Sequence, residues 1–97
     1  MKQVIEGTQR QGVDEEIVYK IATTNWGGNP SEVEAKVYMN NADVTDAVFP
    51  SNAPTVEGDV ITLSPLKNIS LGVGYRIEVK FHSNANVFEC FFKVDAV

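Results

Sequence analysis

Between Tyr75 and Phe81 apolar and polar residues alternate without a break, with Tyr75, Ile77, Val79 and Phe81 on one phase and Arg76, Glu78, Lys80 and then His82 on the other. That period of two predicts a half-buried strand. The next segment repeats it: Phe88, Cys90, Phe92 and Val94 share one face, while Glu89 and Lys93 share the other with Val87 and Phe91. The two segments predict a hairpin, and its register follows from parity. Residues directly opposite in an antiparallel pair point to the same face, so their numbers must sum to an odd value. A two- or four-residue connection within Ser83-Asn84-Ala85-Asn86 meets this condition with Phe81 opposite Phe88, Val79 opposite Cys90 and Ile77 opposite Phe92. The outer face then sets Lys80 against Glu89, an exposed cross-strand pair worth about 0.2–1 kcal/mol, so burial of the aromatic inner face dominates the hairpin's stability.

Earlier segments keep the same period. Ile17, Tyr19 and Ile21 alternate with Val18, Lys20 and Ala22, and Val33, Ala35, Val37 and Met39 alternate with Glu34, Lys36, Tyr38 and Asn40. Shorter strands are expected at Gln3 to Glu6, Val44 to Phe49 and Asp59 to Leu63. Turn-rich stretches such as Gly27-Gly28-Asn29-Pro30, Asn40-Asn41 and Pro50-Ser51-Asn52-Ala53-Pro54 separate these elements. No window of a dozen residues carries apolar positions at helical spacing without a Gly or Pro break, so little helix is expected. The reading is all-β: a two-sheet antiparallel sandwich of about seven strands, one domain over residues 1–97. Its expected core is Ile17, Ile21, Val37, Ile61, Leu63, Ile69, Tyr75, Ile77, Val79, Phe81, Phe88, Cys90 and Phe92.

Charge narrows the partners. Thirteen acidic residues against eight basic give a net charge of −5, which removes the counterion-release term behind most nucleic-acid binding and repels an anionic membrane. Neither nucleic acid nor membrane is expected as a partner. Cys90 is the single cysteine, so an intramolecular disulfide and a multi-thiolate metal site are both excluded. The N-terminal residues lack the apolar run of a signal peptide, and no stretch approaches the roughly 20 apolar residues of a membrane helix, so synthesis in the cytoplasm is expected.

Few residues offer chemistry. A Cys–His nucleophile pair would have to use Cys90 and His82, yet alternation puts them on opposite faces of one sheet. Asp14-Glu15-Glu16 and Glu57-Gly58-Asp59 lack the ligand spacing of a calcium loop. Gly72-Val73-Gly74 precedes a strand, whereas a phosphate loop needs a helix behind it. Asn68-Ile69-Ser70 is a formal glycosylation acceptor with no secretory signal to give it use. No catalytic residue, metal ligand or cofactor is assigned, and an enzyme is not expected. The candidate interaction residues are aromatic or apolar: Trp26 in its glycine-rich loop, and Tyr38, Val87 and Phe91 on outward strand positions. An exposed aromatic face of this kind marks a protein partner or self-association. The alternative is that Trp26 and its loop stack on a carbohydrate or small ligand, and a third reading has Trp26 capping the open end of the core.

Leu66 to Phe81 resembles the corner and following strand of immunoglobulin-like and fibronectin type III-like sandwiches, through Ile69, Gly72 and Tyr75. The resemblance implies that Ile69 plugs the core, Gly72 makes the bend and the Tyr75 hydroxyl bonds back to upstream backbone. Leu71 stands where the fibronectin-type corner commonly has proline, and no cysteine pair brackets the tryptophan. More broadly, the segments Ile21-Ala22-Thr23-Thr24-Asn25-Trp26, Gly58 to Leu63, Tyr75 to Phe81 and Glu89-Cys90-Phe91-Phe92 are similar to small immunoglobulin-like proteins of phage and prophage structural-gene clusters. That similarity implies a structural or adhesive role in a virion-like particle or a secreted or other macromolecular assembly.

Overall fold

The computed structural model describes residues 1–4 and 7–97, and its nine strands form two sheets. In chain order they are β1 (Lys2–Gln3), β2 (Gln9–Gln11), β3 (Lys20–Ala22), a 3-10 turn (Thr24–Trp26), β4 (Ser31–Met39), β5 (Ala42–Asp43), helix α1 (Thr45–Val48), β6 (Thr55–Glu57), β7 (Val60–Thr62), β8 (Gly74–Ser83) and β9 (Asn86–Ala96). The larger sheet has the order β1-β9-β8-β4-β5, with β2 also on β9, and the smaller has the order β3-β7-β6. Lys2 and Gln3 lie parallel to Cys90 and Phe91, and Gln9 to Gln11 lie parallel to Val94 to Ala96, so β1 and β2 share one edge of β9. The described residues are thus mostly β in two sheets, with helix confined to single turns, in line with the all-β class read from periodicity; the expected antiparallel pairing holds for every pair except β1 and β2, whose parallel alignment on β9 makes the larger sheet mixed.

The β8–β9 hairpin has the register that parity requires: Phe81 lies opposite Phe88, Val79 opposite Cys90, Ile77 opposite Phe92 and Lys80 opposite Glu89. Its loop is the two-residue Asn84-Ala85, closed by Ser83 opposite Asn86, with Asn84 at φ 55, a left-handed angle that asparagine tolerates. Tyr75, Ile77, Val79, Phe81, Cys90, Phe92, Val94 and Ala96 are all buried on the inner face. Ile21 and Ile61 of the smaller sheet face them, and Val48, Phe49, Leu66 and Ile69 fill the remaining space from connecting segments.

Two expected core residues are only half-buried. Phe88 sits near the hairpin's end, where Trp26 covers it in place of the second sheet, and Ile17 lies outside β3, held by a single bridge to Leu66. The strand expected at Val44 to Phe49 is instead α1. The cause is local: the Asp43 carboxylate accepts the Thr45 N–H at 2.9 Å and the Thr45 hydroxyl at 2.6 Å, which turns the chain into a helical turn that buries Val48 and Phe49. The Ile17 to Ala22 strand shortens to β3, and the one at Asp59 to Leu63 to β7. Of Gln3 to Glu6, only Gln3 lies in β1, while Ile5 and Glu6 lie outside the described residues. Six of the seven expected strands have a counterpart, and β2, β5 and β6 are additional to them.

At the corner before β8, the Tyr75 hydroxyl accepts the Ser70 N–H at 2.8 Å, Ile69 is buried and Gly72 takes φ 79. Glycine adopts that left-handed angle without a Cβ penalty. All three residues therefore do locally what the sequence comparison implies.

Phe92 is 3% exposed, so Phe92→Ala is expected to lower unfolding free energy by about 3–5 kcal/mol in chemical denaturation. Leu71→Ala, at a site 73% exposed, is the control and should change it by less than about 0.5 kcal/mol. A loss below about 1 kcal/mol for Phe92→Ala contradicts the face assignment.

Candidate interaction edges and cleft

Strand alternation separates the thiol from the imidazole. Cys90 is buried and its thiol is pushed up to about 11 by desolvation, which holds it as an inert neutral group. His82 lies half-exposed on the other face, with Nε2 3.1 Å from Glu32 Oε2. The acidic groups serve local structure: Glu15 accepts the Gly12 N–H at 2.6 Å, and Glu16 lies 3.6 Å from Lys67 Nζ. Among the described residues no three His, Cys, Asp or Glu side chains converge to hold a metal ion, and no helix is long and apolar enough to cross a membrane. The Asn68 amide donates to the Ala47 carbonyl at 3.1 Å.

Asp59 anchors the tryptophan loop. Its carboxylate accepts the Asn29 N–H at 3.0 Å and the Thr24 hydroxyl at 3.1 Å, and its backbone carbonyl accepts both the N–H and the hydroxyl of Thr23. Gly28, at φ 69, passes so close that a Cβ would stand 2.6 Å from Asp59 Oδ1. The Ser83 hydroxyl donates to the Gly28 carbonyl at 2.6 Å from the far side. Held this way, the Trp26 ring stacks on Phe81 at 5.7 Å and on Phe88 at 6.5 Å, capping the end of the core. Trp26 also lines, with Val4, Tyr19, Ile21 and Phe92, an apolar cleft of about 490 Å³ beside β3, whose rim includes Gln9, Lys20 and Asn25.

Tyr38 and Phe91 do share the outer face of the larger sheet, on strands that flank β8. They do not form a continuous apolar patch. The Arg76 guanidinium lies 5.4 Å from the Tyr38 ring centroid and donates to Glu78, while Glu78 stands opposite Phe91. Glu89 separates Val87, 52% exposed, from Phe91 along β9. Opposite charges alternate in register across the strands as Glu34–Lys80–Glu89 and Lys36–Glu78, so charged positions interrupt the aromatic ones on this face. Trp26 stacks on inward residues and belongs to the opposite side.

The sheet edges differ more than the faces do. On β4 the outward backbone is closed by two side chains and one backbone group: Val37 N–H donates to Thr45 Oγ1 at 2.9 Å, the Ala35 carbonyl accepts the Asn52 amide at 3.0 Å, and the Val37 carbonyl accepts the Val44 backbone N–H at 2.9 Å. A bulge at Ser31/Glu34, with Glu32 at φ 49, further distorts that edge. On β3, among the described residues, no strand takes the edge away from β7. Thr45 and Asn52 escaped sequence reasoning because their role is to satisfy backbone groups distant in sequence. Gln11 did too: fully buried, it donates to the Glu15 and Leu66 carbonyls, both at 2.8 Å, and accepts the Tyr19 hydroxyl at 3.0 Å. Burial, and then the Glu15 charge, raise the Tyr19 phenol above its ordinary range.

Two chemical readouts follow. Cys90 should resist a thiol reagent in the native protein at mildly alkaline pH and react fully once denatured; rapid native labelling contradicts its burial. The hydroxyl and then the N–H of Thr45 hold the Asp43 carboxyl below its ordinary value of 3.8, with Lys36 adding a smaller pull. A depressed carboxyl contributes stability above its unfolded pKa, and that contribution is lost as pH falls through the folded one. Denaturation followed below pH 3.8 should therefore show a steeper loss in the wild type than in Asp43→Asn. Equal slopes contradict the bond.

No protein-family model, curated protein or solved structure matches the chain.

Proposed function

We propose that this chain is an immunoglobulin-like β-sandwich that works without catalysis, by protein contact, as a component of a virion-like or other macromolecular assembly. The strand order supports the immunoglobulin-like reading: β3-β7-β6 faces β9-β8-β4-β5, as the B-E-D and G-F-C strands of that fold do, and the Ile69–Gly72–Tyr75 corner precedes the penultimate strand. One departure is informative. The N-terminal strands lie on β9, and among the described residues no strand takes the place beside β3 that the first strand takes in that fold.

The observation that carries the contact reading is the contrast between edges, one closed by Thr45 and Asn52 and one that, among the described residues, has no strand on it and adjoins an apolar cleft. An open edge offers backbone donors and acceptors to another strand, and an adjoining cleft takes its alternate side chains. Absolute molar mass by light scattering, from micromolar to millimolar protein, tests it. Reversible, concentration-dependent association is expected. A strict monomer throughout removes the main support.

A second reading is favoured by the cleft alone, since Trp26 and Asn25 line it as a small-ligand or carbohydrate site would require. Trp26 is the only tryptophan, so its fluorescence reports directly on occupancy. This reading expects a saturable spectral shift on titration with simple sugars, and unchanged emission at millimolar sugar counts against a carbohydrate.

A further inference from the structure

We propose that β3 is the pairing edge of a symmetric homodimer, in which Lys20 of each copy lies antiparallel to and opposite Ala22 of the other. This rests on the contact reading above and names its partner as a second copy of the chain.

The backbone of β3 sets the geometry. The Tyr19 carbonyl accepts the Leu63 N–H at 2.9 Å, Thr23 N–H donates to the Asp59 carbonyl at 2.9 Å, and Ile21 lies opposite Ile61. The odd-numbered residues therefore bond to β7, and the N–H and C=O groups of Lys20 and Ala22 point away from it. No backbone group among the described residues meets them. Two donors and two acceptors stand in a row at one strand repeat.

The other free edge of this sheet offers less. On β6, Thr55 and Glu57 lie opposite Thr62 and Val60, the β7 residues that face away from β3, so only Val56 presents its backbone outward. Pro54, just before it, has no N–H to give.

A second β3, inverted, is complementary to the first, and charge selects the register. Centring the pair on Lys20 sets two ammonium groups directly opposite, which is unfavourable. Centring it on Ala22 sets Lys20 opposite Thr24, which has already left the strand for the 3-10 turn. Centring it on Ile21 sets each Lys20 against a small, neutral Ala22 and makes four N–H···O=C bonds about a two-fold axis. Tyr19 and Ile21 of the second copy then lie in line with the layer between the sheets, beside the cleft walled by Trp26 and Phe92. The net charge of −5 on each copy opposes approach, and no ion pair joins them at this edge, so added salt should strengthen the dimer.

Sedimentation or light scattering of wild type and three variants tests the inference. Ala22→Pro removes an outward N–H without breaking a bond to β7. Ala22→Lys sets like charges opposite each other, and Lys20→Glu with Ala22→Lys turns each into an ion pair. Each single variant should weaken dimerisation at least about tenfold, and the double variant should return it to within about threefold of wild type. Where Ala22→Pro loses the native near-ultraviolet spectrum, the charge series alone decides. Association unchanged by every variant overturns this edge while leaving the contact reading intact. Failure of the double variant to recover overturns the register, and a wild type monomeric up to millimolar concentration overturns both the dimer and its premise.

Discussion

Ten consecutive residue pairs hold β8 against β9, and the inward members of those pairs form the floor on which the rest of the molecule packs. Tyr75, Ile77, Val79 and Phe81 face the same side as Cys90, Phe92 and Val94, so one hairpin presents a continuous apolar surface about as long as the sheet. Water makes that surface untenable alone. The smaller sheet covers its centre, α1 and Phe49 cover the β4 side, and the Trp26 ring covers the end near the turn. Each covering element is short, which is why each also needs a polar anchor: Asp59 for the tryptophan loop, Asp43 and Thr45 for α1, Gln11 for the join between β2 and the segment before β3.

That dependence explains what was legible in the residues and what was not. Alternation is unbroken in β8, and in β9 every inward position from Phe88 to Val94 is apolar, so parity fixes their register. Val44 to Phe49 misled because β-branched and apolar residues there suit a strand as well as a helical turn, and the deciding bonds come from Asp43, just outside the segment. Gln9-Arg10-Gln11 carries no apolar signal at all. It is a strand because its backbone completes the β9 edge, a demand that arises only after β9 exists.

The candidate interaction residues divide along the same line. Outward phase was correct for Tyr38, Val87 and Phe91, but phase does not reveal which charges stand between them, and Glu89, Arg76 and Glu78 do. The capping role of Trp26 against Phe81 and Phe88 was among the readings the sequence allowed, although the cleft on its other side was not foreseen. Edges were invisible, because an edge is defined by the absence of a neighbour and no local pattern encodes that.

Amide hydrogen exchange resolved by residue measures directly whether the β4 edge is closed and the β3 edge open. Val37 N–H, bonded to Thr45, should exchange slowly at every protein concentration. Lys20 and Ala22 N–H should exchange rapidly in dilute solution and slow as concentration rises. Strong protection of Lys20 and Ala22 at the lowest concentration would mean that the chain closes its own β3 edge, and rapid exchange at Val37 would mean that the β4 edge is not sealed; either result contradicts the account.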